Sequence, residues 1–222
     1  MTQRVKTEEK DRITEPGSTS NYVRITGLVD SRAEYSHEVY AESFYCFNIR
    51  TRRLSGAEDV LPVTVRAHLA GLCREGERIT LEGQLRSYNV MRDGRSHLVL
   101  KVFARRVFPA MPEEADENRV LLQGYLCKAP VYRTTPFYRE ISDMLLAVNR
   151  AYGKSDYIPC ICWGHNARLC SRMSAAQYLI TEGRLQSRIY EKHTPDGAIV
   201  PHVAYEVSLS RLLAVQTNGD AS

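Results

Sequence analysis

The chain of 222 residues contains one pattern twice. Asn21-Tyr-Val-Arg-Ile-Thr-Gly27 is answered by Asn118-Arg-Val-Leu-Leu-Gln-Gly124, and Asp59-Val-Leu-Pro62 by Asp156-Tyr-Ile-Pro159, both at an offset of 97. Further on, Glu82-Gly-Gln-Leu-Arg-Ser87 is answered by Glu182-Gly-Arg-Leu-Gln-Ser187 at an offset of 100. Three matches in one order and near-constant spacing mean two copies of one unit, each of a size that can bury its own core. Between the copies, PAMPEEADE (109–117) has two prolines, four acids and no hydrophobic period, and reads as a linker. The expected organisation is a flexible segment over 1–20, a first unit over 21–108, the linker over 109–117, a second unit over 118–214 and a short tail over 215–222.

Each unit consists of short runs of Val, Ile, Leu, Thr and Tyr broken by Gly, Asp and Pro, which is a strand signature. One short helical candidate interrupts each set of strands, at 66–75 (RAHLAGLCRE) and 165–175 (HNARLCSRMSA). A ferredoxin-like unit would need two helices. The pattern therefore predicts an all-β protein of two tandem OB-fold barrels, each with one short helix between strands 3 and 4. Asp93-Gly94 and Asp196-Gly197 read as hairpin turns.

The stretch SDYIPCICWG (155–164) admits a metal site, a buried strand or a binding surface. Side chains alternate across a strand, so Tyr157, Pro159, Ile161 and Trp163 share one face while Ile158, Cys160 and Cys162 share the other. The cysteines are expected inside the barrel and the rings outside it. A metal would need Cys160, Cys162, Cys170 and His165 at the spacing C-x-C-x2-H-x4-C, unlike the paired cysteines of structural zinc. No metal is expected, and His165 reads as a solvated loop residue. In Arg184-Leu-Gln-Ser-Arg-Ile-Tyr190 the same parity puts Arg184, Gln186, Arg188 and Tyr190 on one face against Leu185, Ser187 and Ile189. Cations ending in an aromatic suit a single nucleic-acid strand, whose phosphates pair with guanidinium groups and whose bases stack on rings. Taken alone, that strand could equally be a solvated exterior; the Tyr157/Trp163 face beside it favours binding.

Residues 118–222 carry 12 Lys and Arg against 8 Asp and Glu, whereas residues 1–117 balance at 18 against 18, so any polyanion preference lies in the second half. No apolar run approaches the roughly 20 residues of a membrane span. The polar N-terminus lacks a secretory pattern, which predicts a cytoplasmic protein whose six cysteines are reduced. No P-loop, G-x-G-x-x-G or G-x-S-x-G is present, no nucleophile–histidine pair stands out, and neither catalysis nor a cofactor is expected.

The second half resembles the bacterial single-stranded DNA-binding proteins. The matching residues are Asn118-Arg-Val-x-Leu-x-Gly124, Pro130 with Arg133-x-Thr135, Leu146-Ala-Val-Asn-Arg150 with Tyr152, Asp156-Tyr-Ile-Pro-Cys160 with Trp163-Gly164, and Glu182-Gly-Arg-Leu-Gln-Ser-Arg188 with Tyr190. They cover nearly all of 118–212. The resemblance implies sequence-independent binding of single-stranded DNA in replication, recombination or repair. Stacking falls to Tyr152, Tyr157, Trp163 and Tyr190, with Arg150, Arg184 and Arg188 as the cations beside them. It also implies a homodimer. RNA stays open as a ligand, because stacking and phosphate contacts do not sense the 2′-hydroxyl.

The first half departs from this pattern. By the offsets, Val60 stands for Tyr157, Arg66 for Trp163, and about Val90, with Tyr88 nearby, for Tyr190. Its own Tyr35, Tyr40, Phe44, Tyr45 and Phe47 are expected mainly in the core, beside the cluster Arg50, Arg52 and Arg53. The chain also stops at LLAVQTNGDAS, without the acidic, apolar-tipped tail of the family, so tail-mediated recruitment of replication enzymes is not expected. A degenerate copy and a missing tail leave a rival reading, a non-catalytic adaptor of primosome type that uses the fold for assembly.

Overall fold

The computed structural model describes residues 20–92, 94–193 and 199–216. The Asp196-Gly197 turn, nearly all of the N-terminal segment and most of the tail lie outside these. The first barrel is built from β1 (Asn21–Val29), β2 (Glu34–Val39), β3 (Glu42–Arg52), β4 (Glu58–Arg66), the helix α1 (Ala67–Ala70), β5 (Arg78–Arg92) and β6 (Arg95–Pro109). The second repeats the order with β7 (Glu117–Leu126), β8 (Val131–Thr134), β9 (Glu140–Arg150), β10 (Lys154–Trp163), α2 (Gly164–Cys170), β11 (Tyr178–His193) and β12 (Ile199–Gln216). The short strands β2 and β8 pair only with β3 and β9 and hang on the edge. Set aside, they leave five strands per barrel, with the helix between the third and fourth, which is the OB-fold arrangement. Closure comes from the β1–β3 and β7–β9 pairings, and β4–β6 and β10–β12 run parallel.

Closure explains the repeated glycines. A β-carbon on Gly27 would collide with the carbonyl of Arg50, and one on Gly124 with the carbonyl of Ala147. Only glycine lets the strands cross so closely there. Both helices are shorter than their candidate segments. After Ala70 and Cys170 the chain tightens into three-residue turns, Cys73 N–H to Ala70 O and Met173 N–H to Cys170 O, because it must reverse into the next strand. Gly76 and Ala176 complete that reversal with φ of 83° and 65°. His165 lies exposed within α2, not in a loop as the sequence suggests.

The barrels are joined by a pseudo-dyad through equivalent residues. β1 and β7 pair antiparallel with Val23 opposite Val120, so twelve strands form one continuous sheet. Equivalent side chains repeat their bonds: Asn21 exchanges two hydrogen bonds with the Leu85 backbone, and Asn118 two with that of Leu185. Two fully buried carboxylates cross the joint. Asp156 accepts from the Ser87 N–H at 2.9 Å and from Arg86 at 2.9 Å, while Asp59 accepts from the Ser187 N–H at 2.8 Å and from both arms of Arg53 at 2.6 Å. The linker is pinned too: Arg78 bonds the Glu114 carbonyl and Asp116, and Asp116 accepts from the Arg52 N–H. Among the described residues, no helix is long and apolar enough to cross a membrane.

Candidate nucleic-acid interface

Strand β10 alternates as its sequence requires. Ile158, Cys160 and Cys162 are buried in the second core, where Cys162 lies 3.4 Å from Cys170. Burial, followed by the charge of Glu206, pushes the Cys160 thiol well above its ordinary range. On the other face, Tyr157 is 48% and Trp163 38% exposed. Ile161 shares that face but is buried, covered by its neighbours in a groove. Trp163 is anchored by Nε1–H to Ser208 Oγ at 3.2 Å on β12, so its ring is held, not free to swing. No group of three or more His, Cys, Asp or Glu is placed to hold a metal ion among the described residues.

The groove, about 790 Å³, runs between β10, β11 and β12. Trp163, Arg184 and Arg188 come together in it as the sequence predicts. Arg184 has no carboxylate partner within ion-pair distance among the described residues. It is only partly exposed, and among the described residues its Nε is buried without a partner and its one side-chain bond is from Nη2 to Gln186 Oε1 at 3.1 Å. Burial lowers its pKa, and the neighbouring Arg53 lowers it further. Such a guanidinium is predisposed to an incoming anion. Arg188 stands 3.8 Å from Glu206 and lies over the Tyr190 ring at 5.7 Å, and that ring also stacks with His202.

Four predicted residues stand outside the groove, Tyr190 on the β11–β12 hairpin and three others. Tyr152 sits in the β9–β10 turn, 97% exposed with φ of 63°. Tyr157 marks the far end of the β10 face, where its N–H donates to Ser87 Oγ of the first barrel at 2.7 Å. Arg150 is committed to the joint, 3.5 Å from the buried Asp156. Two parity expectations fail on β11. Ile189 is 73% exposed because the β11–β12 hairpin runs past the end of the barrel, and Ser187 meets Asp59 of the first barrel instead of the core.

The groove also holds residues that the strand argument misses: Arg133 and Arg139 from the β8–β9 hairpin, Glu206 on β12, and Arg53 from the other barrel. The offset of 97 pairs Arg53 with Arg150, a signal that was available in the sequence. In the first barrel Phe47 is buried and Tyr45 packs against the core as expected. Tyr35 and Tyr40 are instead exposed, and Phe44 lines an outer groove with Phe103, Tyr88, Arg86 and Lys101.

Duplicated barrels sharing one joint define a tandem OB-fold protein, with an aromatic, arginine-rich groove on its second unit. Residues 117–212, the span of the second barrel, match the model of the Single-strand binding protein family. Single-stranded DNA-binding protein 1 of Staphylococcus aureus is 38% identical over 93 residues, 39% of this chain and 56% of the relative. The single-stranded DNA-binding protein of Bacillus cereus is 36% identical over 96 residues, 40% of this chain and 56% of its own length. The chain thus spans little more than half the length of these relatives. The crystal structure of wild-type single-stranded DNA binding protein from Thermus aquaticus superposes with a TM-score of 0.72 at 21% identity, covering 91% of this chain and 95% of that one, a likeness of fold across both barrels.

Proposed function

We propose that the second barrel binds single-stranded DNA without sequence reading as its main mode, serving replication, recombination or repair. The observation that carries this is Arg184, a part-buried cation without a carboxylate partner among the described residues, set in one groove with the anchored Trp163 ring. A phosphate would satisfy the guanidinium while a base stacks on the indole, and stacking is worth about 1–3 kcal/mol per ring. Tyr157 and Tyr190 extend the path in both directions, and Tyr152, Arg150 and Arg188 flank it. The named relatives support the ligand class. The same contacts admit RNA, and the chain is proposed to work as a cytoplasmic homodimer, which light scattering of the purified protein would test.

The discriminating experiment titrates the intrinsic fluorescence of Trp163, the one tryptophan, with single-stranded and double-stranded DNA. Quenching by oligo-dT that reverses with salt is expected, with little response to duplex. Oligo-dT that neither quenches nor binds would defeat the reading and leave assembly through an apolar interface, which salt does not weaken in that way.

A further inference from the structure

Two adjacent rings at one hairpin tip are held in water beside the second-barrel groove. In the β8–β9 hairpin Phe137 is 85% and Tyr138 91% exposed. The turn that carries them is closed: Thr135 N–H donates to Arg139 O at 2.8 Å, Tyr138 N–H to Thr135 O at 2.9 Å and Arg139 N–H to Thr135 Oγ1 at 3.1 Å. Tyr138 has φ of 57°, in the left-handed region, where a β-carbon is a cost that glycine would avoid. A large side chain thus stands where neither burial nor backbone preference favours it. The first barrel does the same at its matching hairpin: Tyr40, at the β2–β3 tip, is 100% exposed with φ of 50°. The two hairpins also stand alike, since β2 and β8 occupy the two edges of the sheet and each hairpin contributes one wall of its barrel's outer groove.

The chemistry next to the tip selects an occupant. Arg133, Thr135 and Arg139 of the hairpin line the groove that holds Trp163 and Arg184, so the two rings stand immediately beside that wall. Arg133 is paired with Asp143 at 2.7 Å, whereas Arg139 has no ion-pair partner among the described residues. A phosphate held at Arg139 brings its own base within a side chain's length of the tip, and an exposed ring offers that base a stacking face. A protein partner would find the same rings, but it would have no need of the unpaired cation beside them.

The geometry points to Phe137 and Tyr138 as a clamp: when a single strand fills the groove, the hairpin tip stacks on a base at its outer rim and holds the strand against release. This rests on the groove being a single-strand site, as proposed above. Every base has a face to stack, so the clamp lengthens residence without adding a sequence preference.

The experiment pairs binding with stability. Tyr138→Gly and the double variant Phe137→Ala with Tyr138→Gly keep the turn, and glycine suits its φ, so neither should melt more than a few degrees below the wild type. The double variant should bind oligo-dT about tenfold more weakly in fluorescence anisotropy. The difference should lie in the dissociation rate, with the salt slope unchanged, because a ring neutralises no phosphate. Photocross-linking through 5-iododeoxyuridine in the strand should label the tryptic peptide Thr134–Arg139 of the wild type. Equal affinity and dissociation rate in a folded double variant, or label confined to other peptides, would overturn the clamp while leaving single-strand binding intact. So would unchanged DNA binding together with a smaller oligomer in light scattering, which would assign the tip to a second copy of the chain. Oligo-dT that fails to bind the wild type would instead remove the reading on which the clamp rests.

Discussion

The two barrels share a skeleton and differ in what they show to solvent. The glycines at the strand crossings, the asparagines that clamp Leu85 and Leu185, and the carboxylates buried at the joint recur at matching positions. On the outer face almost nothing recurs. Trp163 is matched by Arg66, Tyr157 by Val60, and the pair Gln186 and Glu206 by Arg86 and Lys101. The first barrel carries its own aromatic set there, with His37 stacked on Phe44 at 5.0 Å and Phe44 against Phe103 at 6.0 Å. The contrast separates two kinds of constraint. Backbone closure and a buried charge at the joint admit few residues, whereas an exposed face can be rewritten without cost to the fold.

That division can be broken at its strongest point first. Asp156→Ala leaves Arg86 and Arg150 without their carboxylate and the Ser87 N–H without an acceptor, so it should cost about 3–5 kcal/mol in urea denaturation. Asp59→Ala should cost a similar amount by the pseudo-dyad. A loss at one position only would mean that the joint is less symmetric than its bonds. Next in size, Trp163→Ala should weaken binding of a labelled oligo-dT by about tenfold or more in fluorescence anisotropy. Arg66→Ala, its counterpart in the first barrel, should change it by less than about threefold. An equal loss from both would erase the functional difference between the faces. Asn118→Ala and Asn21→Ala each remove a doubly bonded clamp and should lower stability by about 1–3 kcal/mol, alike in the two copies. The smallest effect is electrostatic. Arg184→Gln should reduce the salt dependence of oligo-dT binding by about 0.7 in log–log slope, one phosphate's worth, with little change in melting temperature.

Much of this architecture is legible in the sequence. The offsets of 97 and 100 locate equivalent residues before any coordinate is known, and they do so because each copy must cross strands at the same glycines. The alternation over 157–163 separates rings from thiols because a barrel has one inside and one outside. Parity fails on β11, where Ile189 is exposed: alternation says which face a residue takes, but not whether a barrel still stands behind it. It also fails to reveal that Arg150 is drawn to a buried carboxylate at the joint.

The duplication, the all-β units and the outward side of the aromatic strand follow from residue order, since they depend on local spacing and on the two-residue period of a strand. The fusion of the barrels through β1 and β7, the reach of Arg53 into the second groove and the place of Glu206 in its lining emerge from folding. Those contacts join residues far apart in the chain, and their energies depend on burial and on which charges face each other, quantities that exist only after the chain has closed on itself.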